Sequence, residues 1–389
     1  MRTIARRDFL HHLAGGASAF ALAAELARAG QGAPEDHLAG LPPFSWERVP
    51  VYAHLGKTDD DFTARELEFL ASRFDFVTIE KGQAVRKRGS TEEGIYEAAR
   101  ELKKLNPRMK VLFYWNTFIN YPLYRALDRF KPEWRLKDKN GNEVLKAGRI
   151  PRPDLSLAEV RRWWSDVAAE AMTQAPLDGI FADALPQVLT PALPRLLGEG
   201  KARAVVEGLQ EMLALTRKNM GPHKLVLANG IRAGDYRQIL DWEGISGVMI
   251  EHFGHFTSAS PENIRADLES LAMVAARKKF AVLKAWPGFS WLDSDMMQRP
   301  HEELARLARE RMTFPLACFL VGARPYSYFC YSWGYRQDDG MLDAYPELQK
   351  QFGPPRGEAT WKGLTATRQF AHASVWLDLA GKKAQIMWA

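Results

Sequence analysis

"LDGIFADAL", residues 177–185, holds a short apolar run, Ile180-Phe181-Ala182, with Asp178 just before it and Asp183 closing it. Such a run reads as a buried strand. A carboxylate at its end loses hydration and persists only if it is paired, bound to a ligand or used for chemistry. Seven comparable runs recur: "VPVYAHLG" from Val49, "FDFVTIEKG" from Phe74, "MKVLFYWN" from Met109, "HKLVLANG" from His223, "ISGVMIEHF" from Ile245, "KFAVLKAWPG" from Lys279 and "ARPYSYFCYSW" from Ala323. Amphipathic helical patterns lie between them. In residues 261–278, Ile264, Leu268, Leu271 and Val274 share one face, and Ser260-Pro261 supplies an N-cap and first turn. Ser156 and Glu159 have the spacing of a capping box before Trp163 and Trp164. Repeated strand-helix units imply parallel strands, and eight of them predict an α/β fold, a closed (β/α)₈ TIM barrel over 49–355. Residues 356–389 read as short antiparallel strands forming a small β appendage.

The connection between the third and fourth strands is long and contains "RLKDKNGNEVL", whose Asn140-Gly141 is a hairpin-turn signal. It is expected to wall a cleft on the face where the strands end.

The chain has 389 residues, 46% of them apolar, and a net charge of +6. This is the composition of a globular protein, not a disordered or fibrous one. Residues 1–29 carry four Arg against one Asp and one Glu, so the remainder holds +4. Basic and acidic residues are otherwise interspersed, which argues against a nucleic-acid partner. Arg6 and Arg7 precede Asp8-Phe9-Leu10 and an Ala- and Gly-rich stretch that ends in Ala27-Arg28-Ala29. This pattern is that of a twin-arginine signal peptide over 1–29, followed by a leader at 30–48, and implies the twin-arginine export machinery as partner of the precursor and a periplasmic or secreted product. No later run reaches the roughly 20 apolar residues of a membrane span. Cys318 and Cys330 are the only cysteines. Two thiols packed in the core are favoured over a disulfide, and two are too few for a cysteine-based metal site.

In a barrel of this kind the reactive groups stand where strands end. The strand ends carry His54, Glu80, Trp115 with Asn116, Asp183, Asn229, Glu251, Trp286 and Tyr331. Aromatic faces stack on the C–H-rich faces of sugars while carboxylates and amides bond hydroxyls, so the set points to a polysaccharide or oligosaccharide ligand. Trp286 and Tyr331 taken singly also suit core packing. Asp183 and Glu251 end the fourth and sixth strands, and a facing pair of carboxylates is the minimum machinery for glycosidic bond cleavage. Asp183 is expected as nucleophile or base. Glu251 is expected as general acid, its pKa raised by the charge of Asp183 and by aromatic surroundings. The alternative for either is an ion pair with a barrel cation such as Lys284. Glu80, beside Lys81, is expected to contact substrate or orient it. Asp178, at the strand's beginning, reads as structural. Asn229 suits a sugar hydroxyl, a carboxylate or a turn before Gly230. His252 is a further substrate contact. His252 and His255 with Glu251 form an alternative, metal-dependent hydrolase site, although they lack helical i, i+4 spacing. No cofactor is required by the two-carboxylate route, and a non-catalytic carbohydrate-binding barrel is the remaining alternative.

"VLFYWNTFINYPLY", "DLSLAEVRRWWSDVA", "LDGIFADAL", "LVLANG", "GVMIEHF" and the closing "GPPRGEATWKGLTATRQFAHASVWLDL" resemble the secreted proteins of glycoside hydrolase-like family fifteen. The resemblance spans about residues 48–389. It implies a TIM barrel and a polysaccharide-directed activity. More distantly, the placement of Asp183 and Glu251 is similar to that in retaining α-galactosidase-like barrels, with the nucleophile on the fourth strand and the acid/base on the sixth. That analogy is one of fold.

Overall fold

Eight parallel strands follow one another around a single sheet in chain order. They are β1 (Tyr52–Leu55), β2 (Phe76–Ile79), β3 (Lys110–Asn116), β4 (Gly179–Asp183), β5 (Leu225–Ile231), β6 (Gly247–Phe253), β7 (Phe280–Ala285) and β8 (Ser327–Tyr331). A parallel bridge between Val51 and Phe329 joins the two ends of the sheet, closing the barrel. These positions come from a computed structural model that describes residues 38–389. The twin-arginine segment and most of the leader lie outside the described residues. None of the described helices is long and apolar enough to cross a membrane.

The strands are β-branched and aromatic along both faces because one face fills the barrel and the other meets helices. Inside, Tyr52, Phe76, Phe280 and Tyr328 form one interlocked layer, with ring centroids 5.1 to 5.5 Å apart about Phe76. Gly247 leaves room for it, since a Cβ there would stand 2.5 Å from the Phe280 ring. Above this layer His54, Tyr114 and Phe181 pack together. The register slips between Asn229 and Ile231 on β5 and again between Ile250 and Phe253 on β6. Irregularities of this kind re-aim side chains at the rim of a barrel.

The longer helices are α1 (Ala64–Arg73), α2 (Thr91–Leu105), α3 (Ala158–Gln174), α4 (Glu199–Met220), α5 (Pro261–Ala276), α6 (His301–Arg311) and α7 (Thr313–Gly322). In α5 the expected face is buried, and Ser260 Oγ accepts from the Asn263 amide at 3.2 Å. The capping box expected before α3 does not form. Leu157 is the N-cap, and Ser156 Oγ instead donates to Asp154 Oδ1 at 2.7 Å and accepts from Lys201 Nζ at 2.7 Å. A charge-assisted pair of partners outweighs a neutral backbone amide. The long β3–β4 connection does turn at Asn140-Gly141, with Gly141 at φ 86° and a bridge from Lys137 to Glu143, and a second hairpin pairs 145–146 with 150–151.

At the C-terminus, β9 (Thr360–Lys362), β10 (Thr365–Gln369), β11 (Ala373–Asp378) and β12 (Lys383–Trp388) form an antiparallel sheet. Three of its strands lie against α7, which is buried from Pro315 to Gly322. Cys318 and Cys330 are free, buried thiols.

Candidate active site

Asp183 ends β4, beside Asn116 of β3 in the sheet register. Side chains alternate along a strand, so Phe181 and Asp183 point inward, as do Tyr114 and Asn116. Oδ2 of Asp183 accepts from the Tyr114 hydroxyl and, at 2.9 Å, from Asn116 Nδ2. Oδ1 accepts from the Ala184 amide at 2.7 Å and from Asn229 Nδ2 at 2.8 Å. Burial and the neighbouring Asp183 charge push the Tyr114 phenol well up, so it stays a donor. Four donors on two oxygens fix the orientation of this side chain.

Glu251 faces it from β6. Asn229 Nδ2 donates to Glu251 Oε2 at 2.9 Å as well as to Asp183 at 2.8 Å, so the two acceptor oxygens lie no farther apart than about 5.7 Å, the two bonds laid end to end. The fork of a planar amide brings this near ~5 Å. Arg232 Nη2 also reaches Oε2, at 2.9 Å, and the Tyr335 hydroxyl donates to Oε1 at 2.7 Å. The Glu251 side chain keeps 15% of its surface open, enough for a ligand to touch it.

The expectation that Glu251 is raised is overturned in the free protein. Burial pulls its pKa upward, but the Arg232 guanidinium and the Asn229 and Tyr335 bonds outweigh it, and the net direction is down. Lys284 does not supply the cation. It is buried, donates to the carbonyls of Ser332 at 2.6 Å and Ala285 at 3.2 Å, and lies 3.6 Å from the Trp286 ring centroid.

A second acidic group adjoins Asp183. Glu80 accepts from His54 Nε2 at 2.5 Å and from Lys81 Nζ. Burial raises its pKa, yet Lys81 and His54 more than offset that and hold it ionised. The Lys81 ammonium lies over the rings of Tyr114 and Tyr121, at 4.6 and 5.1 Å, within reach of the Asp183 charge. On the Glu251 side, Trp286 donates its indole N–H to the Glu251 carbonyl at 2.8 Å and packs with His255, Phe256 and Trp291. A groove of about 480 Å³ opens beside Trp286, lined also by Arg311, Phe314 and Lys382.

Of the residues expected from sequence, Asp183, Glu251, Asn229 and Asn116 are brought together in one hydrogen-bonded cluster, with Glu80, Trp286 and His252 around it. Trp115 and Tyr331 are not. Trp115 points out of the barrel, 3% exposed, stacked on Trp164 and bonded to its carbonyl at 3.2 Å. Tyr331 likewise points outward and donates to the Ala308 carbonyl at 2.8 Å. Each directly follows an inward-facing neighbour, Tyr114 and Cys330 respectively, and so takes the opposite face by the alternation of the strand. Asp178 is structural as expected, paired with Lys103 at 2.7 Å and Lys110 at 3.3 Å. Lys81, noted beside Glu80 in the sequence, does pair with it, whereas Tyr114, Arg232 and Tyr335 are not singled out from sequence. Tyr114 was findable, two residues before Asn116 on the same strand. Arg232 and Tyr335 sit beyond strand ends, where no periodicity marks them.

His252 Nδ1 is engaged with Thr257 Oγ1 at 2.9 Å, and Nε2 stands 3.7 Å from Glu251. Burial first, then Arg232, push this imidazole down to about 4, so it is neutral at pH 7. His255 stacks on Trp286. Among the described residues no three His, Cys, Asp or Glu side chains converge as a metal site would need.

Fold and site together define a TIM barrel with a paired-carboxylate centre at the strand ends. The family description "hypothetical glycosyl hydrolase family 15" matches residues 103–374, and the chain belongs to that family. No curated protein matches. Among solved structures, the chain is similar to an α-amylase from Geobacillus thermoleovorans complexed with acarbose, at 13% identity over 86% of this chain and 87% of that one, TM-score 0.48. It is similar to a maltogenic α-amylase from Thermotoga neapolitana at 12% identity over 87% and 85%, TM-score 0.49. It is also similar to an α-galactosidase from Thermus thermophilus in complex with p-nitrophenyl α-D-galactopyranoside, at 16% identity over 89% and 69%, TM-score 0.48.

Proposed function

We propose that this protein is an exported glycoside hydrolase that cleaves O-glycosidic bonds of a polysaccharide or oligosaccharide by a retaining route, with Asp183 as nucleophile and Glu251 as acid/base. The observation that carries the reading is the single Asn229 nitrogen shared by both acids. It supports a carboxyl separation of about 5 Å, the retaining range, against roughly 6.5 to 9.5 Å for inversion. In the first step an Asp183 oxygen bonds to the anomeric carbon as the glycosidic C–O bond breaks, and Glu251 gives its proton to the departing oxygen. In the second, Glu251 takes a proton from water, whose oxygen displaces Asp183 from the same carbon. Tyr114, Asn116 and the Ala184 amide hold the nucleophile's oxygens, and the exposed Trp291, packed against Trp286, offers an aromatic face to a sugar ring. The pattern at Arg6-Arg7 and Ala27-Arg28-Ala29 supports export to the periplasm or beyond.

Screening polysaccharides with mass-spectrometric product detection tests the activity, and the anomeric form first released, followed by NMR, tests retention. Asp183→Asn and Glu251→Gln are each expected to lower turnover by about 10² to 10⁴-fold with folding intact. Near-normal activity in either variant refutes the assignment.

The Arg232–Glu251 ion pair favours a second reading, a barrel that grips a glycan and cuts no bond. A carboxylate held ionised by a guanidinium is a ready acceptor for sugar hydroxyls and a poor proton donor. Saccharide binding without released reducing ends across the same screen would establish it.

A further inference from the structure

Arg152 is a half-buried guanidinium that no carboxylate neutralises among the described residues. Nη1 donates to the Phe118 carbonyl at 3.2 Å and Nη2 to Gln187 Oε1 at 2.9 Å, while the group stacks 4.7 Å from the Phe118 ring centroid. These partners anchor it at the mouth of the barrel. Phe118 lies two residues past Asn116, whose amide holds Asp183, and Gln187 is on the short helix Leu185–Leu189 that begins just after Asp183. The Tyr121 hydroxyl lies within electrostatic range of both Asp183 and Arg152. Beside Arg152, Asn120 bonds the Pro151 carbonyl through its backbone amide at 3.2 Å. Asn120 is only 6% exposed, and its Nδ2 has no acceptor.

Of the other cations near the two acids, Lys81 pairs with Glu80 and Arg232 with Glu251, while Lys284 is fully buried against the Ser332 and Ala285 carbonyls and out of a ligand's reach. A guanidinium cannot shed its charge and presents five donors in a rigid fork, two of which are used here. Burying it against neutral partners alone is unfavourable, and burial does weigh against its charged form. The orphaned amide of Asn120, whose backbone bonds the residue just before Arg152, is a second unmet demand for an acceptor.

We propose that Arg152 and Asn120 form a subsite for an acidic group, carboxylate or sulfate, on a sugar bound beside Asp183. This deepens the glycoside hydrolase reading and rests on it. The substrate class is then an anionic saccharide, held by a bidentate guanidinium contact with the amide as a further donor.

Asp183→Asn protein, which holds substrate without turning it over, allows binding to be measured by calorimetry. The probes are uronic-acid oligosaccharides paired with their carboxyl-reduced forms, and sulfated oligosaccharides paired with their desulfated forms. At least one acidic form should bind about tenfold or more tightly than its neutral counterpart, and the pair that discriminates identifies the acid. Arg152→Gln should bring acidic binding down to the neutral level while the protein stays folded, by circular dichroism, and neutral binding stays near the parent's. Arg152→Lys, which keeps the charge but loses the fork, should retain part of the preference. Equal binding of acidic and neutral partners overturns the subsite and leaves the hydrolase reading standing, as does an acidic preference that survives in folded Arg152→Gln. If no saccharide of either kind binds, both proposals fall.

Discussion

Asn229 donates one amide hydrogen to each acid, so neither carboxylate can swing away without leaving a donor unpaired. Arg232 adds a charge to that arrangement, and its consequence is a pH dependence. A general acid works only while protonated, and Glu251 is held below the ordinary carboxylate range in the free protein. Its protonated fraction falls as pH rises through that lowered value, so kcat/KM is expected to decline from acid pH upward. Removing the guanidinium leaves burial, which raises the pKa, less opposed. In Arg232→Leu the declining limb should therefore move to higher pH. Measuring kcat/KM against pH for both proteins checks this, and an unmoved limb would exclude Glu251 as the proton donor.

At the scale of elements, what the strands do to their side chains decides which residues reach the site. The strand-helix rhythm, the buried face of α5 and the Ser260 cap are all legible in the sequence because they rest on local spacing. The barrel follows from that rhythm. The site is legible only where it continues a strand, as at Asn116, Asp183, Asn229 and Glu251. Reading residues off the strand ends takes in outward-facing ones as well, as with Trp115, the next to last residue of β3, and Tyr331, the last of β8. Arg232, Tyr335 and Arg152 come from loops whose path is set by tertiary contacts that no periodicity records. Trp115 then has a different expected role. It is wedged among Tyr124, Trp163 and Trp164, with centroids 4.9 to 6.0 Å away. Trp115→Ala should cost about 3 to 5 kcal/mol of stability by opening a cavity between barrel and helix. Denaturant unfolding should record that loss while KM of the folded protein stays within about twofold of the parent.

For the whole molecule, the C-terminal sheet is where the fold closes over its own apolar surface. α7 reads "TFPLACFLVG" and is apolar on all sides, so it needs cover both from the barrel and from outside. Ala366, Ala373, Val375 and Leu377 of the sheet are buried, and the outer cover lies against α7. Arg368, also buried, donates through Nη1 to the carbonyls of Leu320, Val321 and Ala323 at 2.9, 3.2 and 2.7 Å, which satisfies the end of that helix. Those carbonyls have no intrahelical donor of their own. Burial pushes the guanidinium down to about 10, so it remains charged at neutral pH. Sheet and barrel are thereby tied through buried polar bonds as well as apolar contact, and they should unfold together. Arg368→Met should lower stability by about 1 to 3 kcal/mol, because it strands helix-end carbonyls away from water. Deleting residues 356–389 should go further and yield a chain that aggregates through exposed α7. Calorimetry on the intact protein is expected to give one transition, and Arg368→Met one transition at lower temperature. Two separate transitions in the parent, or a soluble truncated barrel with an unchanged melting temperature, would mean that the sheet is an independent attachment and that α7 is covered without it.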